Sequence, residues 1–192
     1  MKNLKIILLV VILIQFTNYN TVSAQDSKDK AEWISSIDLN ANIQEAKFQS
    51  EIEESKFFKG FLVAYNKSWS PGDTEIFDIE VPAKFYDQTE RLFAYDLFPP
   101  TDGFLGWDEY SKELTKIVLN SSKFDVKLKP DTFRYARNGN VAWMSSSIIA
   151  NGITKGGQEY QTAARQTVIL EKTDNKWLVV HEHISVPYTP QQ

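Results

Sequence analysis

The run RQTVILEKTDNKWLVVHEHISVP, residues 165–187, decides the fold class of this chain. Two β-rich segments flank the short polar turn Thr173-Asp174-Asn175, where asparagine tolerates the left-handed backbone of a tight hairpin. Both histidines of the protein, His181 and His183, stand on the second segment. Side chains alternate between the faces of a strand, so the hairpin sets Arg, Thr, His, Glu and Ser groups at defined heights on a sheet. With Thr173 to Asn175 as a three-residue loop, Lys172 faces Lys176, Thr167 faces His181 and Arg165 faces His183. Arg165, Trp177, His181 and His183 then share one face with Thr167, Ile169, Val179 and Ser185. The other face carries Gln166, Val168, Leu170, Leu178, Val180, Glu182 and Ile184. That second face is apolar except for Gln166 and Glu182. It is the better concave side, and Glu182 becomes a candidate acid in a cavity. The histidine face is amphipathic, as a convex sheet surface covered in a homodimer would be. Arg165, Trp177, His181 and His183 are its candidate interface residues.

Upstream of the hairpin, everything after Phe124 reads as strand. Asn138-Gly139 is a strong two-residue turn signal. Pairing Arg137 with Asn140 sets Arg134 opposite Trp143, where the guanidinium can stack over the indole. A looser turn spans Thr154 to Gly157. Trp107 to about Leu119 has helical spacing, with Tyr110, Leu114, Ile117 and Val118 on the buried side. Arg91 to Phe98 is a strand candidate, closed by the loop from Pro99 and Pro100 to Gly103. A longer helical pattern starts at Ala41, carries Phe57, Phe58, Phe61, Leu62 and Tyr65, and stops at Ser70-Pro71-Gly72-Asp73. Asp73 or Thr74 caps a second, shorter helix through Ile76, Phe77 and Ile79, which Pro82 breaks, kinks or ends. Helices first and a strand meander after them predict an α+β fold. Its form is a curved antiparallel sheet wrapped on three helices, a cone-shaped barrel with a cavity at the wide end. No internal repeat or second domain is evident.

The N-terminus reads as an address. Lys2 and Lys5 precede the apolar run Ile6 to Ile14, and Val22-Ser23-Ala24 is a small-residue cleavage pattern. The apolar run falls short of the roughly 20 residues of a membrane span. The expected organisation is a signal peptide over 1–24, cleaved after Ala24, a flexible leader over 25–40, and one domain over 41–190. The mature protein is therefore expected to be secreted or periplasmic, with no membrane association after cleavage. The chain has no cysteine, so its stability rests on a packed core. A formal net charge of −4 argues against a nucleic-acid partner. Aromatic residues make up 13% of the chain, enough to fill a core or to line an apolar pocket.

Several stretches resemble the SnoaL-like members of the nuclear transport factor 2 and ketosteroid isomerase superfamily. Tyr65 followed by Trp69, Gly72 and Asp73 looks like the family's tyrosine-bearing helix running into Gly-Asp. Tyr95-Asp96 before Pro99 resembles the family's acidic residue ahead of a proline. Gly106-Trp107 through Tyr110 is similar to its glycine-started third helix. Val141-Ala142-Trp143 and the run from Trp177 to Ser185 complete the order. The final run also resembles the association domain of calcium/calmodulin-dependent kinase II, an oligomerising relative. The resemblance covers roughly Phe57 to Pro187 and implies the cystatin-like cone.

It also implies roles. Steroid isomerases of the superfamily use an Asp base, a Tyr donor and a second, protonated Asp. By position Asp96 matches the base and Tyr65 the donor. The third acid would fall near Arg165 to Thr167, where there is no carboxylate, so the chain is not a steroid isomerase. Asp96 remains a candidate general base, since an apolar cavity raises a carboxyl pKa, or else it bonds the amides of the following loop. Tyr65 is either a donor or a core aromatic. Tyr95, Trp107 and Trp143 are candidate pocket walls beside Glu182. The His-x-His pair suggests a metal, but no third ligand is evident; no metal or cofactor is expected. Two readings of function stay open. One is a small-molecule pocket, with or without proton-transfer chemistry of isomerase, lyase or hydratase type. The other is a structural homo-oligomerisation module.

Overall fold

The computed structural model describes residues 50–70 and 77–188. The expected signal peptide, leader, first helical residues from Ala41 and the Asp73 or Thr74 cap lie outside the described residues.

Helix α1, Glu51–Ser68, starts where the Ser50 hydroxyl accepts the Glu53 N–H at 3.2 Å, with Glu51, Glu53 and Glu54 in its first turn and Lys67 in its last. These charges oppose the helix dipole at both ends. Phe58, Phe61, Leu62 and Tyr65 recur every three to four residues and form its buried stripe. Helix α2 is short, Glu80–Ala83. The expected helix through Phe77 and Ile79 is displaced onto this turn, with Pro82 in it. Proline is tolerated there because the first amides of a helix have no intrahelical acceptor. Strands β1, Phe93–Tyr95, and β2, Phe104–Leu105, follow. The strand expected over Arg91 to Phe98 is thus only three residues long. Helix α3 spans Trp107–Leu119, as its spacing predicts, and buries Trp107, Tyr110, Leu114 and Val118.

The rest is sheet: β3 Ser121–Leu128, β4 Arg134–Asn138, β5 Val141–Thr154, β6 Glu159–Thr173 and β7 Lys176–Ser185. A 3-10 turn at Pro130–Thr132 separates β3 from β4. The strand order is β2-β1-β7-β6-β5-β3, with β4 also paired to β5. The fold class is α+β, as expected, but the sheet is not wholly antiparallel. β1 runs parallel to β7.

Two hairpin registers differ from the sequence expectation. The β4–β5 turn is Gly139-Asn140, with Asn138 opposite Val141, and Gly139 takes φ 59°. Ala136 therefore faces Trp143, and Arg134 faces Ser145. The Arg134 guanidinium instead donates to the Phe133 carbonyl at 2.7 Å. The β6–β7 turn is the pair Asp174-Asn175, at φ 49° and 63°, with Thr173 opposite Lys176. Two positive φ values suit a two-residue hairpin turn, whose twist matches that of the strands.

A β-bulge then intervenes. Leu170 pairs with Val179, but Ile169 pairs with His181, so Val180 is the extra residue. The bulge inverts the alternation along β7. Trp177 and Val179 face the core before it, and Glu182 faces the core after it. Trp177 is thus not an interface residue. It is 2% exposed and meets Phe58 edge-to-face at 5.2 Å. The assignment of Gln166, Val168, Leu170 and Glu182 to the concave face agrees with their burial.

Candidate functional site

The parallel pairing of β1 with β7 builds the site. Ala94 lies beside Glu182, and Tyr95 beside His183. Two residues on from Ala94, Asp96 returns to the inner side, where it bonds Tyr110. Three aromatic elements close over this spot. Tyr65, Asn66 and Trp69 come from the end of α1. Tyr86 comes from the segment after α2, which is fixed to β7 by the Val179 N–H donating to the Phe85 carbonyl at 2.8 Å and the Asp87 N–H donating to the Val179 carbonyl at 2.9 Å. Tyr110 comes from the first turn of α3. That helix is placed by Gly106, at φ 80°, whose N–H donates to the Leu92 carbonyl at 2.7 Å. A side chain at Gly106 would be strained by the positive φ and would press on the Glu90 backbone at 3.3 Å.

Glu182 is 1% exposed and is held by three donors. The hydroxyls of Tyr86 and Tyr110 reach its Oε2 at 3.0 and 2.7 Å, and Gln166 Nε2 donates to Oε1 at 2.9 Å. Gln166 is in turn clamped by the Asn66 amide, with two contacts of 3.0 Å. Tyr65 OH bonds Tyr86 OH, and Trp69 Nε1 donates to the same Tyr86 oxygen at 3.3 Å. On the other side Tyr110 OH lies 3.0 Å from Asp96 Oδ2, while the Leu97 N–H donates to Asp96 Oδ1 at 2.5 Å. The result is a continuous chain of oxygens: Tyr65, Tyr86, Glu182, Tyr110, Asp96.

Burial first, and the charge of Glu182 second, push the Tyr65, Tyr86 and Tyr110 hydroxyls well above their ordinary pKa. They are neutral donors at any physiological pH. The same two causes, in the same order, raise the Asp96 carboxyl from 3.8 to about 7; the bonds from Leu97 and Tyr110 oppose them. Asp96 as a residue is half-buried, so it is the member of the chain nearest solvent. An acid with a pKa near neutrality can both give and take a proton under working conditions.

The structure separates the residues nominated from sequence. Asp96 and Glu182 come together through Tyr110. Tyr65 joins the same network but from its far end, 0% exposed and bonded to Tyr86, so it is not the donor next to Asp96. Trp107 is buried and packs on Tyr86 at 4.8 Å between ring centroids. Tyr95 and Trp143 are not inner walls. Tyr95 lies on the outer face, with its ring 5.7 Å from His183, and Trp143 is 48% exposed. Both fall one residue out of phase with the inward positions Ala94, Ala142 and Met144. Arg165 and His183 are exposed on the outer face, and His181 is half-buried there, its Nδ1 2.8 Å from the Phe93 carbonyl. Among the described residues, no group of three His, Cys, Asp or Glu side chains is placed to hold a metal ion.

Sequence reasoning missed Tyr86, Asn66 and the bridging role of Tyr110. The signal for Tyr110 was present in its position on the buried side of α3, combined with a hydroxyl that must find a partner. Tyr86 carried no such signal, since it lies in an irregular segment.

Residues 98–189 match the family model of the SnoaL-like domain. Solved structures of similar fold cover most of the domain. One is a nuclear transport factor 2-like superfamily protein from Salmonella enterica serovar Typhimurium, at 17% identity and a TM-score of 0.62, covering 74% of this chain and 96% of that one. Another is a candidate aromatic ring hydroxylase from Novosphingobium aromaticivorans, at 18% identity and 0.60, covering 73% and 94%. A third is a candidate calcium/calmodulin-dependent kinase II association domain from Xanthomonas campestris, at 14% and 0.53, covering 76% and 94%. The sequence matches no curated protein. The chain has the nuclear transport factor 2-like fold, and its residues 98–189 are similar to the SnoaL-like domain. These solved structures include a candidate hydroxylase and a candidate association domain, so the fold leaves the activity open.

Proposed function

We propose that this domain binds a small, largely apolar molecule carrying one hydrogen-bonding group, and that Asp96 exchanges a proton with that group. The observation that carries this reading is the position of Asp96. It is the solvent-side end of a buried acid and tyrosine chain, with its carboxyl raised to about 7. A purely structural acid in a loop has no use for a second buried carboxylate across a shared hydroxyl. Proton transfer by a positioned side chain contributes typically about 100-fold or more. Tyr86, Trp107 and Phe104 around the chain are buried core, so an apolar ligand would meet Asp96 at the solvent-side edge of this aromatic cluster.

The test has two stages. Native mass spectrometry of the purified protein looks for a co-purifying small molecule. Asp96→Asn, which keeps the shape of the side chain, is then assayed with that molecule. A fall in turnover of about 100-fold with little change in affinity supports proton transfer. A stable Asp96→Asn protein with unchanged affinity and turnover removes Asp96 from the site.

A second reading concerns self-association. Val141, Trp143 and Tyr95 are exposed on the outer sheet face, alongside Ile169, His183 and Arg165. An apolar sheet face of this kind favours a homodimer. Sedimentation of the protein and of Trp143→Arg checks it: two subunits for the first and one for the second are expected. We also propose export of the mature chain from Gln25, on the basic start, short apolar run and Val22-Ser23-Ala24. Intact mass of the exported protein is the check, and retention of Met1 to Ala24 counts against it.

A further inference from the structure

We propose that Asp96, Tyr110 and Glu182 hold one proton in common in the resting protein, so that the acid group presented to a ligand is the neutral carboxyl of Asp96. The inference deepens the reading of Asp96 as the acid–base group of the site, but it is tested without any ligand.

It follows from counting hydrogens. The oxygen chain has four links: Tyr65 to Tyr86, Tyr86 to Glu182, Glu182 to Tyr110, and Tyr110 to Asp96. Each link needs one hydrogen between its oxygens. The three tyrosine hydroxyls supply three. Tyr65 gives its proton to Tyr86, and Tyr86 gives its own to Glu182. Tyr110 has a single proton but stands 2.7 Å from Glu182 Oε2 and 3.0 Å from Asp96 Oδ2. With both carboxylates ionised, one of those contacts, the first buried and the second part-buried, sets two acceptors against each other, which is costly. One additional proton completes the chain.

Its location also follows. Apart from Tyr110, Glu182 already receives two donors, Tyr86 and Gln166, whereas Asp96 receives one, the Leu97 N–H. The extra proton therefore sits on Asp96 Oδ2 and is donated to the Tyr110 oxygen, while Tyr110 donates to Glu182. The titratable groups around the pair are Tyr65 from α1, Tyr86 from the segment after α2, Tyr110 from α3 and Glu182 from β7; β6 contributes only Gln166, which does not titrate. Among the described residues, no cationic side chain bonds to the cluster. Asp87, the other buried acid, is turned to Thr89 and Arg91. Burial and the Glu182 charge act on Asp96 in the same direction. Glu182 and Tyr110 are thus positioning residues. They keep Asp96 protonated until a ligand or rising pH takes the proton away.

Infrared spectroscopy of the ligand-free full chain reads this directly, because a neutral carboxylic acid has a carbonyl band distinct from that of a carboxylate. One such band is expected on the acid side of neutrality, falling to half at about pH 7 and gone at higher pH. It is expected to vanish in Asp96→Asn, whose amide N–H fills the place of the proton. It is also expected to vanish on the acid side of neutrality in Glu182→Gln, which supplies an N–H from the other side, and to persist in His183→Gln on the outer face. No acid band in the unmodified protein on the acid side of neutrality overturns the proposal. So does a band that survives in Asp96→Asn. A band lost in Asp96→Asn but kept in Glu182→Gln means that Asp96 is protonated by burial alone, and overturns the sharing.

Discussion

The two sides of β7 invite comparison. On the inner side Glu182 sits beneath aromatic rings and receives three donors; on the outer side His181, half-buried, and His183, exposed, lie against Phe93 and Tyr95. Both are ionisable groups in aromatic surroundings, one residue apart. The difference lies in burial. A dry carboxylate must be satisfied completely, so its neighbours are dictated; a half-wet imidazole leaves its neighbours free. The inner side therefore fixes the partners of its ionisable group, and the outer side does not.

The largest effect expected from breaking this contrast is on packing. Trp177→Ala, at an inner position before the bulge, should lower stability by about 3–5 kcal/mol. Trp143→Ala, on the outer face, should stay within about 0.5 kcal/mol of the unmodified protein when measured as a monomer. Denaturant midpoints of the two variants decide whether the bulge has assigned the tryptophans to the right sides. Glu182→Ala should cost on the order of 3 kcal/mol by the same measurement, because Tyr86, Tyr110 and Gln166 lose their acceptor in the interior. An equivalent change at His183 should again stay within about 0.5 kcal/mol.

The smallest effect is on pH dependence, and it has a definite sign. Folding raises the Asp96 pKa from 3.8 to about 7, so the folded state favours the protonated form. The contribution of Asp96 to stability is then fully present below 3.8, declines as the pH rises, and is gone above about 7. Melting temperatures of the unmodified protein minus those of Asp96→Asn should follow that decline. A difference that is flat across this range, or that rises with pH, contradicts the assignment.

How much of this was legible in the sequence varied with how local the cause was. The helix Trp107–Leu119 was readable because its spacing and its glycine start are local signals. The α+β order was readable for the same reason. The register of β7 was not. Moving the turn from three residues to Asp174-Asn175 shifts it by one, and the bulge at Val180 shifts it again. A bulge has no sequence signal of its own, because residue types on both sides of it suit a strand. This is why Trp177 was assigned to the outer face while Glu182 was assigned correctly to the inner one. Tyr95 and Trp143 were nominated as aromatic walls by residue type, and type alone does not fix a side. The meeting of Asp96 with Glu182 depends on the parallel pairing of β1 with β7, a contact between segments some 90 residues apart that no local pattern announces.

The most direct test of the whole account is a carboxyl-carbon nuclear magnetic resonance titration of Asp96 in the ligand-free protein. Placement at the end of a buried acid and tyrosine chain predicts a midpoint of about 7. A midpoint near 3.8, the ordinary value for an aspartate, would mean that the carboxyl is solvated and unlinked to Glu182, and would contradict the site described above.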